Sequence, residues 1–181
     1  MTTKSIMSTD VITVKPTDTV AEVLMVMCEN QVHNIPVLDD SGDFIGLFSL
    51  RRVTHALLPR AAQLDSEHLL MDLNFMPDDD DEMLNRLLDL GAKPVSELLE
   101  KKKKLRFCKP DTPIPELLKL LYDNPTSLPV LVVKGKHNHL EGMVSNWDVL
   151  TKIALNLLSR HQNPEAGQTT DAAAPSGDKE Q

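Results

Sequence analysis

The chain has 181 residues, a net charge of −8 at pH 7, and a hydrophobic fraction of 41% with only 3% aromatics. One or two domains fit that length, and their core must be aliphatic, built from Leu, Val, Ile and eight Met. The acidic balance argues against a general nucleic-acid binder. No apolar run approaches the roughly 20 residues of a membrane helix, and Met1 to Ile6 lacks the apolar stretch of a signal peptide, so a cytoplasmic protein is expected.

In chain order, Val11-Ile12-Thr13-Val14 is short and β-branched, and Lys15-Pro16 stops it, which predicts a strand and a turn. Thr19 precedes an apolar stripe of Val20, Val23, Leu24, Met27 and Cys28, and Glu22 stands three residues on. That pattern predicts a helix with a capping box. Asn34 to Asp39 predicts a strand with Pro36 near its start, Asp40-Ser41-Gly42-Asp43 a hairpin turn, and Phe44 to Phe48 the return strand. Ser49 opens a helix to about Leu58. Cys28 and Cys108, in apolar contexts, read as reduced core thiols rather than a disulfide.

A second copy of this unit follows. Val14-Lys15-Pro16 recurs as Cys108-Lys109-Pro110 at an offset of 94, with Glu22 and Leu24 falling on Glu116 and Leu118. Ile35-Pro36-Val37 matches Leu128-Pro129-Val130, and Gly46-Leu47-Phe48-Ser49 matches Gly142-Met143-Val144-Ser145. Such ordered self-similarity predicts a duplicated unit of strand, helix, strand, hairpin, strand, helix. Between the copies, Leu64 to Leu73 predicts one short helix and Met83 to Leu90 a second, closed by Gly91. The acidic run Asp78 to Asp81 lies just before the second, where negative charge suits the helix dipole. A short helix over Pro94 to Glu100 precedes Lys101 to Lys104, a charge run read as a solvated face. His137-Asn138-His139 reads as a hairpin tip and lacks the further ligands a zinc site needs. Beyond His161 the composition is that of a disordered tail. The division is 1–58 for the first repeat, 59–94 for a helical insert, 95–160 for the second repeat and 161–181 for the tail.

The most informative stretch is Gly142 to Asp148. A strand end runs into Ser145, and Val149, Leu150, Ile153, Ala154, Leu157 and Leu158 follow at helical spacing. Two chemistries fit. Ser145 and Asp148 can cap the helix as a short capping box. Alternatively, the helix N-terminus and the Ser145 hydroxyl can meet a phosphate while Asp148 accepts from a ribose diol.

Ile6-Met7-Ser8 with Val11 to Val14, Val32-His33-Asn34-Ile35-Pro36-Val37, and the two Gly-apolar-apolar-Ser helix starts resemble the CBS (cystathionine β-synthase) domain family, arranged as a CBS pair or Bateman module. The resemblance covers Ile6 to about Leu58 and Val95 to about Ser159. It implies an α/β (α+β) fold of two β-α-β-β-α repeats packed about a pseudo-twofold axis, and commonly a disc-like homodimer. It further implies a cleft for an adenosine-containing ligand and a regulatory, non-enzymatic role toward a partner protein. Carried over residue by residue, Ser145 and Asp148 match the family's hydroxyl and carboxylate, with His33 and Asn34 across the cleft. Val11, Ile12, Thr13, Ile35 and Pro36 are weaker candidates for the adenine. In the first repeat Ser49 matches, but Arg52 stands at the Asp position. A guanidinium cannot accept from a ribose diol, so that cleft is empty or Arg52 points across the pseudo-twofold axis toward a phosphate or an acid.

The expectation is therefore a stand-alone CBS-pair module sensing an adenosine nucleotide of the AMP, ADP or ATP class, in a cleft using Ser145, Asp148, His33 and Asn34. No cofactor or metal is required, and neither nucleic acid nor a membrane is a partner. The rival reading is a ligand-free dimerisation or interaction module in which Ser145 and Asp148 only cap a helix. Trp147 reads as a packing residue at a domain or dimer contact. No Walker loop, GxGxxG or Ser-His-Asp order points to catalysis.

Overall fold

The computed structural model describes residues 2–58, 80–124, 128–135 and 138–162. The helix expected over Leu64 to Leu73, the acidic residues Asp78 and Asp79, and the tail beyond Gln162 lie outside the described residues. The first repeat contributes α1 (Val20–Asn30), β1 (Asn34–Leu38), β2 (Phe44–Ser49) and α2 (Leu50–Leu57). An inserted helix, α3 (Asp80–Gly91), follows; β3 (Arg106–Cys108), α4 (Ile114–Tyr122), β4 (Val130–Lys134), β5 (His139–Val144) and α5 (Asn146–Gln162) form the second repeat.

The sequence dictates α1 closely. The Thr19 side chain accepts from the Glu22 amide, and the Glu22 carboxylate accepts from the Thr19 amide, closing the expected capping box. The exposed Glu22 carboxyl is held below its ordinary value, first by the Thr19 backbone N–H and then by the Thr19 hydroxyl. Val20, Val23 and Met27 form the buried face. Helix α3 packs against α1 and α2, and Leu90 joins their core.

The duplication is visible in the hydrogen-bond register. Ile35 pairs with Phe48 and Val37 with Gly46 before a bulge at Val37/Leu38. Val130 pairs with Val144 and Val132 with Gly142 before a bulge at Val132/Val133. Identical bulges opposite identical glycines make Val37 equivalent to Val132. Pro36 therefore corresponds to Leu131, and Pro129 to Asn34. Matching the two Pro-Val pairs in sequence slips the register by two residues, which leaves every side chain on its own face and hides the error.

That shift explains a second correction. Val11–Val14 is not a strand. Only Val14 pairs with β1, through an isolated parallel bridge to Val37 with Val14 N–H to the Pro36 carbonyl and Leu38 N–H to the Val14 carbonyl. Continuing the parallel ladder to Ile12 needs an N–H at residue 36, which proline lacks. At the equivalent place Leu131 has one, and β3 pairs in parallel with β4 over three residues. The first sheet thus has two strands and the second three, in the order β3-β4-β5. The expected Pro94 to Glu100 helix is a 3-10 turn over Val95–Leu98, and Lys102–Lys104 form another.

Each repeat is completed by the segment that precedes the other. Thr3 and Lys4 amides bond to the Thr112 and Pro110 carbonyls, and Ile6 enters the second repeat's core with Leu117, Val130 and Val144. Conversely, Val95 N–H bonds to the Asp18 carbonyl, and Val95 and Leu98 enter the first core beside Phe48 and Val53. A third cluster of Leu47, Leu105, Leu128 and Leu131 joins the repeats, flanked by an edge-on contact of Phe44 with Phe107 at 5.8 Å between centroids. Both cysteines are free, but only Cys108 is a core thiol; burial pushes its pKa up. Cys28 is exposed, because the buried stripe of α1 runs through Met27 and leaves its neighbour on the flank.

Candidate functional site

The crossed-over N-terminal segment builds one wall of a cleft between the repeats. Ser8 pairs with Met143 through two backbone hydrogen bonds, of 2.9 and 3.0 Å. Gly142 permits this approach, since a Cβ there would lie 2.6 Å from the Ser8 carbonyl oxygen. The opposite wall comes from the end of α1. Gln31 adopts a left-handed conformation (φ 54°), Val32 N–H returns to the Met27 carbonyl, and the chain turns to present Val32, His33 and Asn34. His33 is anchored through its carbonyl, which accepts from Leu50 N–H.

The cavity between these walls measures about 560 Å³, within the range of small-molecule sites. Ser145, Asp148, His33, Asn34, Val11 and Ile12 all line it. Four sequence candidates do not. Ile35 and Pro36 are buried inside β1. Thr13 opens onto a different, shallow cavity with Lys15 and Asp18. Arg52 sits in the first turn of α2, away from this cavity. Ser8, Asp10, Gln31, Pro129, Met143 and Trp147 line it in addition. Trp147, expected at a domain or dimer contact, is 76% exposed in the single chain and lines the cavity.

Ser145 and Asp148 form the capping box. Ser145 N–H and Oγ–H donate to Asp148 Oδ2 at 2.7 and 2.5 Å, and Asp148 N–H donates to Ser145 Oγ at 3.2 Å. The other carboxylate oxygen, Oδ1, accepts from the exposed Ser8 hydroxyl at 3.0 Å. An ionised carboxylate offers about four acceptor sites, so Oδ1 keeps capacity toward the cavity. The first N–H groups of α5 have no intrahelical acceptor, and the box occupies only one of them. Capping and ligand binding are therefore compatible at this helix end.

The pseudo-equivalent place in the first repeat is chemically inverted. Ser49 Oγ–H donates to Glu100 Oε1 at 2.6 Å, and Arg52 N–H donates to Ser49 Oγ. Glu100 is 4% exposed, so a protein carboxylate fills the position beside this hydroxyl. Among the described residues, Arg52 Nε and Glu100 Oε2 have no hydrogen-bond partner, and both are buried. Lys104 interacts with Glu100 and with Arg51, Lys101 and Arg52. His55 is held below its ordinary pKa by burial first, then by Arg52, Arg51, Lys104 and Lys101.

The comparisons with known proteins agree with this architecture. The CBS domain profile matches residues 4–59 and 95–155, more than half of the chain. The chain belongs to the CBS domain family. Among solved structures, CBSX2 in complex with AMP is similar at 20% identity and TM-score 0.61, covering 87% of this chain and 98% of that one. AcuB from Vibrio cholerae is similar at 18% identity and TM-score 0.61, covering 90% and 96%. MJ1004 from Mathanocaldococcus jannaschii is similar at 12% identity and TM-score 0.61, covering 94% and 70%. At these identities the likeness is one of fold. No curated protein sequence matches the chain. Among the described residues, no helix of this CBS pair is long and apolar enough to cross a membrane.

Proposed function

We propose that this CBS pair is a regulatory module that binds an adenosine compound of the AMP, ADP or ATP class in the Ser145–Asp148 cleft and reports its level to a partner protein in the cytoplasm. The observation that carries the reading is the cavity itself. It spans both repeats, with a helix N-terminus, a hydroxyl and a carboxylate on one side and His33 and Asn34 on the other. A sugar hydroxyl takes the place of Ser8 on Asp148 Oδ1, a phosphate takes the α5 N-terminus, and the base lies toward Val11, Ile12 and Val32. That CBSX2 has been solved with AMP supports the choice of ligand. Contacts to both repeats favour their closed arrangement, which is what a partner would sense. The role is sensing rather than catalysis.

Thermal denaturation with AMP tests this. A ligand at 100 times its dissociation constant adds about 2.7 kcal/mol, a rise of several degrees for a chain of this size. A flat response to adenosine, AMP, ADP and ATP alike would leave the ligand-free interaction module as the reading.

We also propose a homodimer. Leu118 and Tyr122 on α4 and Leu150, Ile153, Leu155 and Leu158 on α5 are exposed, Tyr122 at 88%. Apolar side chains in that number on the two helices of the second repeat support an interaction surface. Light scattering should give twice the chain mass for the wild type and the monomer mass for Tyr122→Glu with Leu150→Glu; a monomeric wild type refutes it.

A further inference from the structure

We infer that the cleft selects an adenosine compound carrying at most one phosphate and discriminates against triphosphates. This rests on the proposed ligand class and narrows it. Asp10 and Asp148 are the charged side chains of the lining; no Lys or Arg contributes to it among the described residues. The positive group is the N-terminal dipole of α5, equivalent to about half a charge and already facing Asp148. One phosphate matches such a site. Each further phosphate brings negative charge into a cleft holding two carboxylates, where proteins that hold polyphosphates place Arg or Lys.

The duplication supplies an internal comparison. Val14 and Cys108 hold the same place in their ladders, opposite Val37 and Val132. At that offset of 94, Asp10 corresponds to Lys104. Phe48 pairs with Ile35 and Val144 with Val130, so Ser49, the next residue of the first repeat, corresponds to Ser145 and Arg52 to Asp148. Both carboxylates of the cleft are thus exchanged for cations in the other repeat. The scaffold accommodates basic residues at these two places, and the cleft carries acids at both.

Calorimetric titration of the full chain with adenosine, AMP and ATP, each with and without Mg²⁺, tests the inference. AMP should bind about tenfold or more tightly than ATP at low salt, and raising the salt should narrow the gap. Asp10→Asn should narrow it as well, and Asp10→Lys should bring ATP close to AMP. ATP binding as tightly as AMP to the wild type, alone or with Mg²⁺, overturns the selectivity and leaves the adenosine site standing. Failure of all three ligands overturns both.

Discussion

Asp148→Ala should bind AMP about 10 to 100 times more weakly than the wild type. Hydrogen bonds to a charged acceptor contribute about 1.5–3 kcal/mol, and the substitution removes the proposed ribose acceptor. The same carboxylate accepts from Ser145 N–H, Ser145 Oγ–H and Ser8 Oγ–H, so the variant also loses part of a helix cap. Losing a cap costs about 1 kcal/mol, a few degrees in melting temperature for a chain of this length. The two effects separate cleanly. The stability loss appears without ligand, whereas the binding loss appears as a missing ligand-induced shift and a weak calorimetric isotherm. Ser8→Ala is the informative companion. It frees Oδ1 of a competing donor and leaves the capping box intact, so AMP should bind at least as tightly as to the wild type. Wild-type affinity in Asp148→Ala would reduce the carboxylate to a helix cap.

Phe48→Ala should cost about 3–5 kcal/mol in urea-monitored unfolding. Phe48 is fully buried on β2, pairs with Ile35 and packs with Val20, Val23, Met27 and Val53. With so few aromatics the surrounding side chains are aliphatic, and none of them reaches across to refill the space of a ring. The loss is a large share of the total stability of an ordinary domain, about 5–15 kcal/mol. Met25→Ala, at a site 65% exposed, should stay within about 0.5 kcal/mol. A cost below about 1 kcal/mol for Phe48→Ala would mean that the first repeat's core does not hold the fold together.

Local rules and their limits account for what could be read in advance. Thr19 with Glu22, and Ser145 with Asp148, each put an acceptor three residues before an acid at a helix start, and both boxes form. The hairpin at Asp40 to Asp43 and the repeat itself depend on adjacent residues, and they were legible too. Ile35 and Pro36 were less so: they lie next to the right wall in sequence but are buried within β1, Ile35 in the first repeat's core. Ser8 stood in the family motif without a role, because its partner lies 140 residues away.

Periodicity, capping and self-similarity, all written along the chain, were enough to specify a duplicated α/β module and the helix end at Ser145. Which residues face one another across the cleft was set by the fold, because each repeat is completed by a segment belonging to the other. That exchange brings Ser8 onto Asp148 of the second repeat's helix, Asp10 into the cleft, and Glu100 onto the first repeat's Ser49. Side chains brought together by tertiary packing share no spacing that a linear pattern can reveal: Arg52 at the place of Asp148 was legible along the chain, whereas Glu100 on Ser49 and Ser8 on Asp148 were decided by packing.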